Sequence, residues 1–437
     1  MFKVLKFGGS SMADASQYQK VKEIVLAESS RKVVIVSAAG KRFSGDNKIT
    51  DLLYLCYAHI QYGVSPDDIF DMIAERYIQI RDDLKLKTDI EAELDAIRKK
   101  IKSGITKDEL VSRGEYLSAI LLADFLGYKF VDATDWLTFK FDGTIDTKKS
   151  YSRLQNIPYE KGIVIPGFYG ILPNAKIRVM TRGGSDITGA LAAAAFNADV
   201  YENWTDVSGV LMADPRIVDN PKPIKHITYD ELRELSYMGA QVLHEGTIFP
   251  VKKANIPLNI RNTNAPNDPG TVILKTCDEI DNDDNLITGI AGRHDFTILT
   301  ITKHGLSAAV GMLKKIAEIF ERHGVAIEYA PSGIDCFSFV MPTANIEDNL
   351  YSVIADIENE IKPEKTDVVD KISVIAVIGR KMAFKPGTSG KLFAALGENG
   401  INIRMISQGP DERNIIVGTD NKDYEKTIKV IYDSFIR

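Results

Sequence analysis

The chain repeats itself over its last third at a constant spacing. TILTI at 297–301 matches SVIAV at 373–377, and EIFERHGVAI ending at Ile327 matches ALGENGINI ending at Ile403. Gly311 pairs with Gly387, and Gly324 with Gly400, in the same ungapped register. The spacing exceeds that of solenoid units and only two copies are present, so a small domain has been duplicated. Each copy reads strand, loop, helix, strand, strand, helix, strand. The second copy stops on its second helix, YEKTIKVIYDSF, and lacks its last strand. LITGIAGR (286–293) is strand-like and belongs to neither copy. It is expected to complete the second sheet. The first copy, 294–371, is then inserted into a second domain made of 284–293 and 372–437.

Ahead of the repeats, short apolar runs (FKVLKF, KVVIVSAA, GIVIPGF, KIRVM) alternate with longer stretches of helical period such as Asp51–Tyr62, Ile69–Leu84, Glu109–Leu126 and Ser185–Asn197. Runs of Val and Ile bounded by Gly, Ser or Pro read as buried strands. Their alternation with helices predicts an α/β sandwich with a largely parallel sheet over 1–275. The charge-dense stretch 85–110 reads as an exposed helical excursion. The Asn-, Asp- and Pro-rich segment 262–285 reads as the exit and a linker.

Net charge is -6 and pI about 5.7. With no basic run, nucleic acid is not an expected partner. No apolar run is long enough for a bilayer, and MFKVLKFGG has no signal-peptide pattern. Cys56, Cys277 and Cys336 stand far apart with no CxxC spacing, which suits a reducing cytosol and leaves no expected metal site. Cytoplasmic localisation follows as the expectation.

Two glycine loops each join a strand to a helix. KFGGSS (6–11) offers Lys6, Gly8 and Gly9 ahead of a helix near Ala15. Glycines there let backbone N–H groups approach an anion, and a lysine can neutralise phosphate charge. A plain glycine turn with a solvent-bound lysine reads as well. TRGGSD (181–186) places Arg182 and Asp186 around a second loop. Asp186 could hold Lys6 or Mg²⁺, or could be a helix N-cap. GxxxxGK[ST], GxGxxG and the protein-kinase motifs are absent. SRGEYLSA (112–119) has Ser–x–x–Glu spacing, so Glu115 is either half of a capping box or a partner for a substrate ammonium. WTDVSGVLMADPR (204–216) supplies Thr205, Asp206, Asp214 and Arg216 in a turn-rich setting suited to a nucleotide, or to an ordinary surface turn.

KFGGSS, SRGE, TRGGSD and WTDVxGVxxADPR, in this order, resemble the aspartokinase branch of the amino-acid kinase family, in its single-function form. PGTSGKLFAALGENGINIRMISQG (386–409) is similar to the second ACT domain of those enzymes, so the repeats become two βαββαβ ACT-like domains. The resemblance spans essentially the whole chain. It implies ATP and Mg²⁺ as cofactors and L-aspartate as substrate, phosphorylated on its β-carboxylate to 4-phospho-L-aspartate. By position it implies that Lys6, with the amides of Gly8 and Gly9, holds the transferring phosphoryl group, and that Asp186 orients Lys6. Arg182 would bind a substrate carboxylate and Glu115 its ammonium, with Ser37, Thr50, Gly183 and Gly184 alongside and Ser185 between the two ligands. Thr205, Asp206 and Arg216 would contact ATP. Leu211 stands where Tyr is common, and Gln241 where GAKVLHP in relatives places a lysine. GRKM (379–382) and DERN (411–414) depart from GxGM and SExN.

A glutamate or N-acetylglutamate kinase is the alternative within the family, but such chains lack tandem ACT domains. A non-catalytic amino-acid sensor is the other, against which the intact Lys6, Arg182 and Asp186 weigh. The resemblance further implies feedback inhibition by lysine, ahead of threonine; Gly311, Met312 and Leu313 at a helix N-terminus, with Glu328 and Ser332 near them, read as its site, or as core residues and a solvated carboxylate. It implies a homodimer through the ACT domains, or a tetramer built from it.

Overall fold

The structure, a computed structural model, describes the chain except for residues 181–182, 241–242, 244, 278–285, 307, 410–412 and 437. Contacts divide it into two units, one taking in 1–210, 223–229 and 242–281, the other 211–222, 230–241 and 282–437.

The first unit is built on β1 (Lys3–Phe7), β2 (Arg31–Val36), β3 (Lys129–Phe130) and β4 (Ile163–Pro166), a hairpin of β5 (Tyr169–Ile171) and β6 (Ile177–Val179), then β7 (Val200–Thr205), β8 (His226–Thr228), β9 (Leu258–Asn262) and β10 (Thr271–Leu274). Eight of these form one sheet in the order β3-β4-β2-β1-β7-β9-β10-β8. All neighbours run parallel except β9 and β10. The near-continuous apolar runs of β1, β2 and β4 are what a parallel sheet covered on both faces demands. Leu5, Phe7, Val34 and Val36 point into one core shared with the helices Ala15–Leu26, Ile49–Gln61, Asp67–Asp83, Ile90–Ser103 and Lys107–Leu126. Successive side chains alternate across a strand, so Val4 and Lys6 face the other way. On that side the alanine-rich helix Gly184–Phe196 packs on β1 and β7. Gly189 sets its approach, since a Cβ there would lie 2.3 Å from the Tyr201 hydroxyl.

Two expectations shift. KIRVM is an edge of the small β5–β6 hairpin rather than a strand of the main sheet, with Ile177 and Val179 half-buried and Arg178 exposed. The stretch 85–110 is not a solvated excursion. Its helix Ile90–Ser103 buries Ile90, Leu94, Ile97 and Ile101 in the core cluster, a 3.6-period stripe hidden among charges.

The second unit holds β11 (Gly289–Thr302), β12 (Cys336–Pro342), β13 (Lys365–Ile378), β14 (Met405–Gln408) and β15 (Asn414–Asp420), one antiparallel sheet in the order β12-β11-β13-β15-β14. Gly289–Arg293 pairs with Val374–Ile378, and beyond an irregularity Phe296–Thr302 pairs with β12 and with Lys365–Ile372. The helices Met312–Arg322 and Thr388–Glu398 both start on a left-handed glycine, Gly311 at φ +80° and Gly387 at φ +89°. Gly324 and Gly400, just past them, both have φ +67°. The repeat is thus written into backbone geometry that only glycine adopts without strain.

Residues 230–241, most of them on the helix Tyr229–Tyr237, belong to this unit. Glu231 is fully buried and takes the Arg380 guanidinium on both oxygens, at 2.9 and 3.1 Å, with the Thr288 hydroxyl donating at 2.6 Å. Arg413 bonds Asp230 at 3.0 Å, and the Asn414 amide donates to Glu234 at 2.9 Å. Arg380 and Arg413 fall within the two sequence departures GRKM and DERN, which thereby acquire a structural partner. Burial pushes the Cys56 thiol up to about 11.

Candidate active site

A cavity of about 770 Å³ opens in the first unit, where β1, β2 and β7 hand over to their loops. Ligands of parallel sheets lie at such carboxyl ends. Its walls bring together Lys6, Gly8, Gly9, Ser37, Thr50, Glu115, Gly183, Gly184, Ser185, Asp186, Thr205 and Asp206. These come from separate places in the sequence, and strand register explains the meeting. Lys6 of β1 lies opposite Asn203 of β7, so both side chains leave the same face. There they meet Asp186 on the first turn of the helix Gly184–Phe196. The Lys6 ammonium bonds Asp186 Oδ1 at 2.6 Å, and Asn203 Nδ2 donates to the same oxygen at 3.0 Å. Lys6 is nearly buried, with 9% of its side chain exposed, and at low dielectric such a pair is a fixed dipole facing the cavity. The helix takes Gly183 (φ +80°) as its N-cap, so Asp186 is not the cap.

The first glycine loop is held closely. Gly8 N–H donates to the Trp204 carbonyl at 3.0 Å, and Gly40 N–H to the Gly9 carbonyl at 2.8 Å. Of the two amides expected to meet a phosphoryl group, Gly8's is therefore committed to the backbone, and Gly9's remains the candidate. A Cβ on Gly40 would sit 2.5 Å from the Gly9 carbonyl carbon, so the loop after β2 presses on the loop after β1.

Glu115 lies in the middle of the helix Lys107–Leu126, not at its start. That helix is capped six residues earlier than the capping box read from SRGE, by Thr106, whose hydroxyl accepts from Glu109 N–H at 3.3 Å. Glu115 is thus freed from the capping explanation. It is 3% exposed, and its Oε2 has no hydrogen-bond partner among the described residues. Burial raises its pKa to about 8, against the Ala38 N–H and the more distant Arg113 and Lys6, which favour the charged form. Gly114 makes the approach possible, because a Cβ there would lie 2.7 Å from that of Ala38. A buried, half-satisfied carboxyl in a cavity wall is a site for a cationic or hydrogen-bonding ligand.

The remaining candidates divide. Leu211 and Arg216 fall in the second unit, with Arg216 exposed and bonded to Asp214 at 2.5 Å. Arg182 and Gln241 lie outside the described residues. In the second unit, Gly311 caps the helix that carries Met312 and the half-exposed Leu313. Glu328 holds Arg293 with both oxygens at 3.0 Å, and Ser332 is exposed and bridges to Phe337. Asn203 escaped sequence reasoning. In VYENWT it reads as one more strand residue, and only register shows that it buttresses Asp186.

Comparison with known proteins agrees with this geometry. Residues 1–262 match the amino acid kinase family, and 375–435 match an ACT domain. Aspartokinase 3 of Bacillus subtilis is 34% identical over 99% of this chain and 98% of its own. The crystal structure of Clostridium acetobutylicum aspartate kinase, described as an allosteric enzyme, is 46% identical with a TM-score of 0.91 over 99% of both chains. E. coli aspartokinase III, 25% identical with a TM-score of 0.74 over all of both chains, has been solved with aspartate and ADP (R-state) and with lysine and aspartate (T-state). A parallel-sheet domain with its lysine–aspartate pair between two glycine loops, joined to an ACT sheet, defines the class, and the chain belongs to the amino acid kinase family, on its aspartokinase branch.

Proposed function

We propose that the chain transfers the γ-phosphoryl group of ATP to the β-carboxylate of L-aspartate. The observation that carries this reading is the cavity itself. It sets the Lys6–Asp186 pair beside the Gly8–Gly9 loop, and a buried, half-satisfied Glu115 in the same wall. An aspartate ammonium is the ligand that would complete Glu115, and neither N-acetylglutamate nor a neutral substrate offers one.

The chemistry asks little of a general base. A carboxylate oxygen is already a nucleophile at neutral pH, so it forms the new bond to the γ-phosphorus while the bridging oxygen leaves with ADP, and no proton is transferred. The protein's task is to hold two anions together and stabilise the transferring charge. Lys6 carries that charge, kept in place by Asp186 and Asn203. The Gly9 amide faces the phosphoryl oxygens. Ser37, Thr50, Arg182, Gly183, Gly184 and Ser185 serve the substrate side, and Thr205, Asp206, Leu211, Arg216 and Gln241 the nucleotide. Among the described residues no three His, Cys, Asp or Glu side chains cluster as a metal site. Asp186 and Asp206 in the cavity wall suit Mg²⁺ that arrives with nucleotide phosphates and keeps its waters, and such an ion would neutralise phosphate charge there.

The reading extends to regulation and organisation. The kinase portion is 1–275, the first ACT-like domain 294–371, and the second 284–293 with 372–437. Lysine, ahead of threonine, inhibits through Gly311, Met312, Leu313, Glu328 and Ser332. An effector ammonium at Glu328 competes with Arg293, which gives the effector a bond to break. The chain dimerises through this unit and works in the cytoplasm.

The deciding experiment is ADP release from ATP with aspartate, glutamate or N-acetylglutamate as acceptor. Turnover restricted to aspartate is expected, and turnover of either other acceptor at a higher kcat/KM would overturn the reading. Lysine and threonine titrations of wild type and Glu328→Ala follow. A wild type insensitive to both removes the regulatory part.

A further inference from the structure

The loop between β2 and the helix Ile49–Gln61 carries a feature that the reaction scheme leaves unused. Between Lys41 and Lys48 every residue is exposed except Asp46. Asp46 is a buried anchor. Its carboxylate accepts from the Arg42 backbone N–H at 3.0 Å, Arg42 Nε at 2.9 Å, Arg42 Nη2 at 3.2 Å and Arg76 Nη2 at 2.7 Å. Arg76, itself buried on the helix Asp67–Asp83, donates through Nη1 to the carbonyls of Gly40 at 3.0 Å and Ala13 at 3.4 Å. Burying charged groups costs desolvation that is recovered only by close, multiple bonds. Here that arrangement fixes an otherwise solvated loop. The two stems are closed by Ile49 N–H on the Ala39 carbonyl at 3.0 Å, next to the Ala38 amide that faces Glu115.

The ends of the loop, Lys41 and Lys48, both line the cavity. No hydrogen bond or ion pair engages either ammonium among the described residues. The cavity's charge balance shows what they contribute. Besides them, the described wall offers one lysine, Lys6, against the carboxylates of Asp186 and Asp206, while burial keeps the Glu115 carboxyl protonated at neutral pH. A wall of that sign repels a dicarboxylate, and Lys6 is already taken by Asp186. With the two loop lysines the described wall turns from net negative to net positive, which suits a dicarboxylate. Ser37 and Thr50, which the proposed function assigns to the substrate, line the cavity on either stem, and on that reading the charge lies at its amino-acid end.

We propose that Lys41 and Lys48 are binding residues for the carboxylates of the amino-acid substrate, held over the cavity by Arg76 and Asp46 acting as positioning residues. The proposal rests on the aspartate reading above and adds to it a specificity element for doubly anionic acceptors.

The test is steady-state kinetics of full-length K41M/K48M, whose exposed side chains can change without disturbing the core, with wild type measured alongside. Expected is a rise of about tenfold or more in KM for aspartate, with KM for ATP within about twofold and kcat within about threefold. The wild-type dependence of kcat/KM for aspartate on ionic strength should also flatten in the variant. An unchanged KM for aspartate, or an equal rise for ATP, overturns the assignment while wild-type turnover keeps the aspartate reading intact. A wild type that does not use aspartate overturns both. Asp46→Asn, which leaves the lysines in place, should reproduce the aspartate-specific rise. A normal KM in that variant removes the positioning role of the clamp.

Discussion

At the scale of single residues, the pair Lys6–Asp186 and the carboxyl of Glu115 carry the most weight, for opposite reasons. The first is fully partnered, and its value lies in being fixed before the substrates arrive. Lys6→Ala and Asp186→Ala are each expected to lower kcat by about a hundredfold or more with the fold retained, as for lost charge stabilisation in a transition state. Near-normal kcat in either variant, with circular dichroism as the check on folding, would remove that residue from the catalytic set. Glu115 is the reverse, a group left incomplete. Its pKa, raised by burial to about 8, means that above the ordinary carboxylate range and below 8 the folded protein keeps a proton that the unfolded chain releases. The stability this lends is complete at the acidic end of that window. It declines as pH rises, by up to about 1.4 kcal/mol per pH unit, and levels off beyond 8. Glu115→Gln carries a permanently neutral amide and should lose this slope. In melts of the ligand-free protein, wild type should fall behind the variant as pH goes from 5 to 8. Parallel profiles would show that Glu115 does not titrate there. The same variant should raise KM for aspartate more than KM for ATP.

At the scale of elements, the repeat gives a paired experiment. Gly311 and Gly387 begin equivalent helices with φ near +80° to +90°, and a Cβ at either would meet nothing within 4 Å. The cost of an alanine is therefore conformational alone. Gly311→Ala and Gly387→Ala should each destabilise by about 1 kcal/mol, and by similar amounts, measured by urea denaturation. A large difference between them would mean that the two copies are not equivalent at this turn. Elements also show where periodicity misleads. The stretch 85–110 looked solvated because charges outnumber apolar residues, yet four isoleucine and leucine side chains on one stripe suffice to dock its helix. KIRVM looked like a sheet strand because a three-residue hairpin edge and a short buried strand share one composition.

For the whole molecule, the second unit carries exposed apolar side chains that suit a partner. Val310 is fully exposed, with Ile334 and Tyr351 more than four-fifths exposed in the same unit. Exposed apolar groups and free edges of this kind favour self-association. Sedimentation at micromolar concentration should give a dimer or a multiple of one, and a monomer there would contradict the assembly proposed above.

What the sequence determined by itself was everything that depends on order and spacing. The 76-residue register between Gly311 and Gly387, the two glycine loops and the buried apolar runs specify a parallel α/β domain followed by a duplicated one, because backbone propensity and burial act along the chain. What it left open was every relation between distant segments. Asp186 could be a cap or a partner of Lys6 until strand register set Lys6 beside Asn203. Glu115 could be a cap until Thr106 was found to start the helix. Lys41 and Lys48 carry no motif, and only the bond from Arg76, some thirty residues on, to Asp46 shows that the loop between them is held. Arg380 and Arg413 were mere departures until Glu231 and Asp230 lay against them. Tertiary structure decided these because a charge takes its role from its burial and its partner, and neither is a property of the segment that carries it.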